Sequence, residues 1–345
     1  MEQTEKIDIL SLSREELTEQ LTAMGEKAFR AKQIYDWLHV KKVSDFSQMS
    51  NISAQLREQL SEKFCLKSLI IKKRLVSKLD NTVKYLYGLP DGEAVETVLM
   101  EYKHGNSLCI STQVGCKMGC RFCASTIAGF VRHLEPSEML LQIYETERDS
   151  GRHVDSIVLM GIGEPLDNFD NVVKFLTLLN SGGEGMSLRH LSLSTCGVVD
   201  KIYKLAELNL GLTLSISLHA ATDEKRSSIM PINKRFNLEQ LMTACRDYFK
   251  KTGRRISFEY SLIEGVNDTE ESAQELISLL DGMLCHVNLI PINEIRERDF
   301  KKSRYVEKFR KRLTDAGINA TVRRTLGADI NAACGQLRRD DGISQ

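Results

Sequence analysis

Gly115-Cys116-Lys117-Met118-Gly119-Cys120-Arg121-Phe122-Cys123 places three cysteines in the spacing C-x3-C-x2-C. Thiolates this close in sequence can converge on one soft metal centre. Iron–sulfur clusters commonly take four protein thiolates. This loop supplies three and no fourth cysteine follows nearby, so one iron is left for a ligand that is not protein. Gly115 and Gly119 let the loop wrap tightly. Structural zinc is the competing reading, but zinc takes four ligands in paired spacings such as C-x2-C, and this loop has no partner pair.

Working outward, the cysteines follow an apolar run at Leu108–Ser111, the first of six. The others are Ile157–Met160, Leu191–Ser194, Leu212–Leu218, Ile256–Leu262 and Val287–Ile290. Amphipathic stretches such as Ser137–Arg148, Val172–Leu179, Leu238–Phe249 and Glu271–Leu280 lie between them. Such alternation predicts an α/β fold with a parallel sheet and crossover helices. Six units fit a partial (β/α)6 barrel better than a closed eight-unit one. Upstream, Ser13-Arg14-Glu15-Glu16 is a helix-opening signal. Phe29, Ile34, Trp37 and Leu38 recur at near-helical spacing, as do Leu56, Leu60 and Phe64. Thr82–Gly88 and Ala94–Tyr102 flank Pro90-Asp91-Gly92, a hairpin signal. The expected organisation is a small helical N-terminal domain at 1–75, a hairpin linker at 76–104 and a core at 105–345.

Sites in (β/α) barrels gather at the C-terminal ends of the strands. The cysteine loop follows the first strand and Gly161-Ile162-Gly163-Glu164-Pro165 the second. Ser194-Thr195 ends the third, Ser217-Leu218-His219 the fourth, and Asn293 comes after the sixth. Polar residues in register at one end of successive strands predict one pocket. Glycines 161 and 163 allow close backbone approach to a ligand. Glu164 can accept a bond from an ammonium group, and Ser194, Ser217 and Asn293 can bond carboxylate, ribose or base. Taken alone, the glycines also suit an ordinary strand-to-helix turn, and His219 a packed structural histidine.

Composition is that of a globular protein, 42% hydrophobic and 27% charged over 345 residues. No apolar run is long enough to span a bilayer, and Met1–Leu10 lacks a signal peptide's apolar segment. A cytoplasmic protein without membrane contact is expected. Formal net charge is zero, which gives no global drive toward nucleic acid. RNA binding would need local patches such as Lys72-Lys73-Arg74, Arg254-Arg255, Arg323-Arg324 or Arg338-Arg339, each of which taken singly reads as a solvated charge pair. Nine cysteines in a cytosolic chain should be mostly reduced. Cys65, Cys196, Cys245 and Cys285 read as buried structural thiols.

The cysteine loop, with Phe122 just before its last cysteine, resembles that of the radical S-adenosylmethionine superfamily. A likeness to the RlmN-type adenine-C2 RNA methyltransferases extends over nearly the whole chain. It is carried by Arg30-Ala31-Lys32-Gln33-Ile34, Val95-Glu96-Thr97-Val98, Gln113-Val114-Gly115-Cys116, Leu159-Met160-Gly161-Ile162-Gly163-Glu164-Pro165-Leu166, Ser217-Leu218-His219 and Asp329-Ile330-Asn331-Ala332-Ala333-Cys334-Gly335-Gln336-Leu337. Ile162 and Asn331 depart from the commoner methionine and aspartate. The resemblance implies a partial barrel of the radical S-adenosylmethionine type, with a [4Fe–4S] cluster on Cys116, Cys120 and Cys123. It implies S-adenosylmethionine held by Gly163, Glu164, Ser194, Ser217, Leu218, His219 and Asn293. Cys334 would be the cysteine that is methylated, Cys109 the second catalytic cysteine and Glu96 the proton acceptor. On the residues alone, Glu96 reads as an exposed strand carboxylate. The implied substrates are an adenine of the peptidyl-transferase centre of 23S rRNA and adenosine 37 of some tRNAs. The implied electron donor is of the flavodoxin or ferredoxin kind, and a monomer is expected. Rival readings are C8 methylation of the same rRNA adenine, a non-catalytic RNA-binding protein with a structural metal, and a small-molecule radical enzyme.

Overall fold

Ten strands join in one sheet whose spatial order follows chain order, in a computed structural model that describes residues 6–181 and 185–338. They are β1 (Ile70–Val76), β2 (Val83–Gly88), β3 (Ala94–Tyr102), β4 (Gly105–Cys109), β5 (Ser156–Leu159), β6 (Leu191–Thr195), β7 (Thr213–Ser217), β8 (Ile256–Leu262), β9 (Cys285–Pro291) and β10 (Ala320–Val322). From β4 to β10 all neighbours are parallel, while β1 to β4 pair antiparallel. The six predicted strands are present, and the short β10 extends them by one. Helices form the crossovers: α4 (Pro136–Ser150), α5 (Phe169–Ser181), α6 (Val199–Glu207), α7 (Asp223–Ile229) with α8 (Leu238–Thr252), α9 (Glu270–Leu280) and α10 (Val306–Asp315).

Local chemistry sets these boundaries. Pro136 sits in the first turn of α4, where its missing N–H costs nothing, and Gly151 ends the helix at φ 66°. Asn237 and Gln240 cap α8 reciprocally, and Gly253 closes it at φ 65°. Between sheet and helices lie Leu193, Leu214, Ile216, Phe258, Val287 and Leu289, all fully buried. Each such side chain contributes roughly 1.5–3 kcal/mol of burial energy.

Upstream lies the helical unit of α1 (Arg14–Ala23), α2 (Phe29–His39) and α3 (Ala54–Lys63). Ser13 and Glu16 form the predicted capping box. Ile7–Asp8 pairs in parallel with Phe64–Cys65 and closes the unit. Two expectations change here. The helical stretch ends near residue 65, because Ile70–Val76 is drawn into the sheet by pairing with β2. The β2–β3 hairpin forms as predicted but is no linker, since β3 pairs directly with β4 and continues the core sheet.

Candidate active site at the strand ends

The chain leaves β4 at Cys109, passes a short ribbon of Gln113–Gly115 against Phe130–His133, and turns into the cysteine loop. Gly115 has φ 73°, and a Cβ there would lie 1.7 Å from the Gly129 carbonyl oxygen. Cys116, Cys120 and Cys123 line one cleft of about 950 Å³, counting the open space at its mouth. Burial pushes the Cys116 thiol up to about 12 and raises those of Cys120 and Cys123. The thiols also oppose one another's ionisation. Three thiolates in this place therefore need a cationic core between them, which an iron–sulfur cluster provides.

The next strand ends build the rest of the cleft. A Cβ on Gly161 would meet the Ile110 carbonyl at 2.6 Å, and one on Gly163 (φ 111°) the Gln113 side chain at 2.6 Å. Glycine is thus required for close packing with the segment that leads from β4 into the cysteine loop as much as for ligand approach. Glu164 is buried; its carboxylate accepts from the N–H groups of Leu166 (3.0 Å) and Cys196 (2.8 Å). Burial raises its pKa, while the Cys196 and Leu166 N–H bonds oppose this. Ser194 and Ser217, on neighbouring strands, bring their hydroxyls to 3.4 Å. His219 takes a left-handed φ of 57°. Its Nδ1 accepts from the Ser261 N–H at 2.9 Å, which assigns the ring hydrogen to Nε2. Burial, aided by the Arg226 charge, lowers its pKa to about 3, so the ring is neutral. Phe122 of the cysteine loop meets the His219 ring edge-on at 4.8 Å.

A segment near the C-terminus completes the site. Cys334 lines the cleft of the three cysteines and also a second cavity of about 500 Å³ that Cys109 lines. Bonds hold this segment against the cysteine loop. The Ala124 N–H donates to the Gly335 carbonyl (2.8 Å) and Ser125 Oγ to the Leu337 carbonyl (2.9 Å). Asn293 Nδ2 donates to the Cys334 carbonyl at 3.1 Å. Burial pushes the Cys109 thiol up to about 12, with Cys334 adding to the rise and Arg323 opposing it.

Of the predicted residues, the structure gathers Cys116, Cys120, Cys123, Gly163, Glu164, Ser194, Ser217, His219, Asn293 and Cys334 on one cleft, with Cys109 next door. Leu218 is fully buried and lies behind this lining. Glu96 is not the exposed carboxylate expected from the sequence; it is 6% exposed and lines a separate groove on the far side of the Cys334 segment. One oxygen pairs with Lys84 Nζ at 2.9 Å and the other accepts from the Arg338 N–H at 2.7 Å. Burial raises its pKa against the opposing pull of Lys84.

Other residues were missed. Arg323, read as solvated, lines both cavities and lies 3.8 Å from Glu259, the one charged residue in the strand run Ile256–Leu262. That lone charge inside a buried strand was the available signal. Cys196 lines the cleft as well, and Cys65 is half-buried. Of the basic patches, Lys72-Lys73-Arg74 lies exposed on the edge strand β1, while Arg339 lies outside the described residues. Among the described residues no helix is long and apolar enough to cross a membrane.

An open parallel barrel with three cysteines at the mouth of its first strand is the frame of a radical S-adenosylmethionine enzyme, and the radical SAM superfamily model matches residues 110–277. A second model, the ribosomal RNA large subunit methyltransferase N-terminal domain, matches residues 7–66. The chain is 54% identical to a probable dual-specificity RNA methyltransferase RlmN of Lachnoclostridium phytofermentans, over 97% of this chain and 95% of that one. It is 53% identical to the protein of the same name from Clostridium perfringens, over 96% of each. A radical SAM methyltransferase crystal structure from Sphaerobacter thermophilus superposes with a TM-score of 0.92 at 39% identity, covering 96% of this chain and 99% of that one. The chain belongs to the RlmN family of radical S-adenosylmethionine RNA methyltransferases. Its cofactors are accordingly a [4Fe–4S] cluster and S-adenosylmethionine.

Proposed function

We propose that the protein methylates C2 of adenine in RNA, acting in the cytoplasm on a 23S rRNA adenine of the peptidyl-transferase centre and on adenosine 37 of tRNA. The observation that carries this reading is that Cys334 borders both the cleft of the three cysteines and the cavity of Cys109. A thiol so placed can meet a radical source on one side and a resolving thiol on the other. Adenine C2 is electron-poor and has no lone pair with which to attack a sulfonium methyl group, so a carbon radical must reach it. Cys116, Cys120 and Cys123 would hold the cluster, which would supply the electron for cleaving S-adenosylmethionine to a 5′-deoxyadenosyl radical.

The protein's own residues do the rest. Glu164, Ser194, Ser217, His219 and Asn293 border the cleft in which S-adenosylmethionine binds, with Gly163 allowing close approach and Leu218 supporting the wall from behind. The Cys334 thiolate takes a methyl group by polar displacement from one S-adenosylmethionine. That methyl loses a hydrogen atom to the radical from a second S-adenosylmethionine, and the methylene radical adds to C2. After the adduct radical passes one electron to a one-electron acceptor and the C2 proton to a base, the Cys109 thiolate attacks the Cys334 sulfur, and the departing methylene carbon takes up a proton. The resulting disulfide frees the methylated base and is then reduced. Arg323, which lines both cavities, lowers the cost of a thiolate at Cys109. The base that takes the C2 proton is Glu96 or Cys109; in this fold Glu96 lies in its own groove and anchors the Cys334 segment through the Arg338 N–H.

The test is anaerobic reconstitution with iron, sulfide, S-adenosylmethionine and either RNA, followed by mass spectrometry and NMR of the nucleosides. 2-Methyladenosine is expected; 8-methyladenosine would overturn the assignment.

A further inference from the structure

Arg226 of α7 is fully buried, and neither the sequence patterns nor the proposed chemistry uses it. Its guanidinium donates to the carbonyls of Leu218 (3.1 Å), Cys196 (2.6 Å) and Ser217 (3.2 Å) and to Asn233 Oδ1 (2.9 Å). All these acceptors are neutral. Among the described residues no carboxylate lies within ion-pair distance; Asp223 is reached only through Asn233, whose Nδ2 donates to Asp223 Oδ1 at 2.8 Å. A buried cation without a counter-charge is costly, and proteins rarely keep one without a use.

Its position shows where the counter-charge belongs. Cys196, Ser217 and Met230 all line the cleft of the three cysteines, and Arg226 bonds the first two through their carbonyls. The next turn of the same segment is tied to the cysteine loop: the Arg121 N–H donates to the Ile229 carbonyl at 2.9 Å. A [4Fe–4S] core of charge 2+ with three thiolates carries one net negative charge, and taking one electron makes it two. A buried cation behind the cluster favours the doubly negative form, and net local charge is among the factors that set cluster potentials.

We propose that Arg226 is a positioning residue of the cluster that also raises its reduction potential, so that an external one-electron donor can reduce it. This rests on the cluster being held by Cys116, Cys120 and Cys123. A Cys120→Ala control that keeps its iron would remove that basis independently of Arg226. The test is a potentiometric titration of the anaerobically reconstituted full chain, with dithionite as reductant and EPR as readout, after assay of iron and sulfide. In Arg226→Gln the ratio of reduced to oxidised cluster at the parent's midpoint should fall at least tenfold, which is 59 mV for one electron. Arg226→Lys, which keeps the charge, should stay within threefold. If Arg226→Gln fails to hold iron, the double variant Asp223→Asn/Asn233→Asp decides. It moves a carboxylate against the guanidinium while keeping net charge, and should lower the ratio at least threefold. An unchanged midpoint in a variant with its full iron content would overturn the proposal.

Discussion

Replacing Glu96 by Gln, alone and together with Lys84→Met, separates its anchoring of the Cys334 segment from the proton-acceptor role proposed for it. Lys84 and Glu96 form a 2.9 Å pair with side-chain exposures of 10% and 8%. Removing the acid alone leaves a buried lysine whose remaining bond is to the Asn331 carbonyl at 3.1 Å. Breaking a buried pair on one side costs about 3–5 kcal/mol, whereas replacing both partners with neutral groups is often close to neutral. Lys84→Met/Glu96→Gln should therefore recover most of the loss, short of about 1 kcal/mol for the bond to Asn331. Urea denaturation of the parent, both single variants and the double variant measures the coupling, which these costs put at about 5 kcal/mol or more. Hydrogen exchange over residues 331–338 should report where it acts. Strict additivity of the two substitutions would refute the argument. Methylation by the double variant then separates the roles: an anchor alone is restored with stability, whereas a proton acceptor is not.

Cys109→Ala should accumulate a nuclease-sensitive covalent RNA adduct through Cys334, visible as a slow band on a denaturing gel; normal turnover would remove Cys109 from the resolving role. Gly115→Ala forces an alanine into the left-handed region, at about 1–2 kcal/mol, and drives its Cβ against the Gly129 carbonyl. It should lower bound iron and sulfide well below the parent's in a colorimetric assay. Burial lowers the pKa of His39 from its ordinary 6.5 to about 4. The folded state therefore favours the neutral ring, so this contribution is fully present above pH 6.5 and is lost as pH falls toward 4. At 1.36 kcal/mol per unit it amounts to about 3 kcal/mol. His39→Phe should flatten that arm of a plot of melting temperature against pH.

The strands that carry the site were legible because one face of each is fully buried, so that Ile157–Met160 or Leu191–Ser194 reads as a short strand-like run between helical stretches. The cysteine loop was legible because its donors are local in sequence. Strand β1 was not: Lys72, Lys73 and Arg74 occupy its centre and it is exposed nearly throughout, as an edge strand often is. Helix α10 buries only Val306, Phe309 and Leu313 among many charges. Arg323, Arg226 and Glu96 were misread or missed for a common reason. Whether a charged side chain is solvated depends on which distant elements close over it, and composition carries no record of that.

The last described stretch of chain ties the two margins of the open sheet together. It leaves β10 at one margin, and at the other its Gly327 N–H donates to Asp80 while Asp329 accepts from the Lys78 N–H, both in the turn between β1 and β2. Cys334 rides on this tether. Under the proposed chemistry, methylation, attachment to RNA and disulfide formation at its sulfur would each act on a segment pinned at both edges of the barrel's gap, like a drawstring.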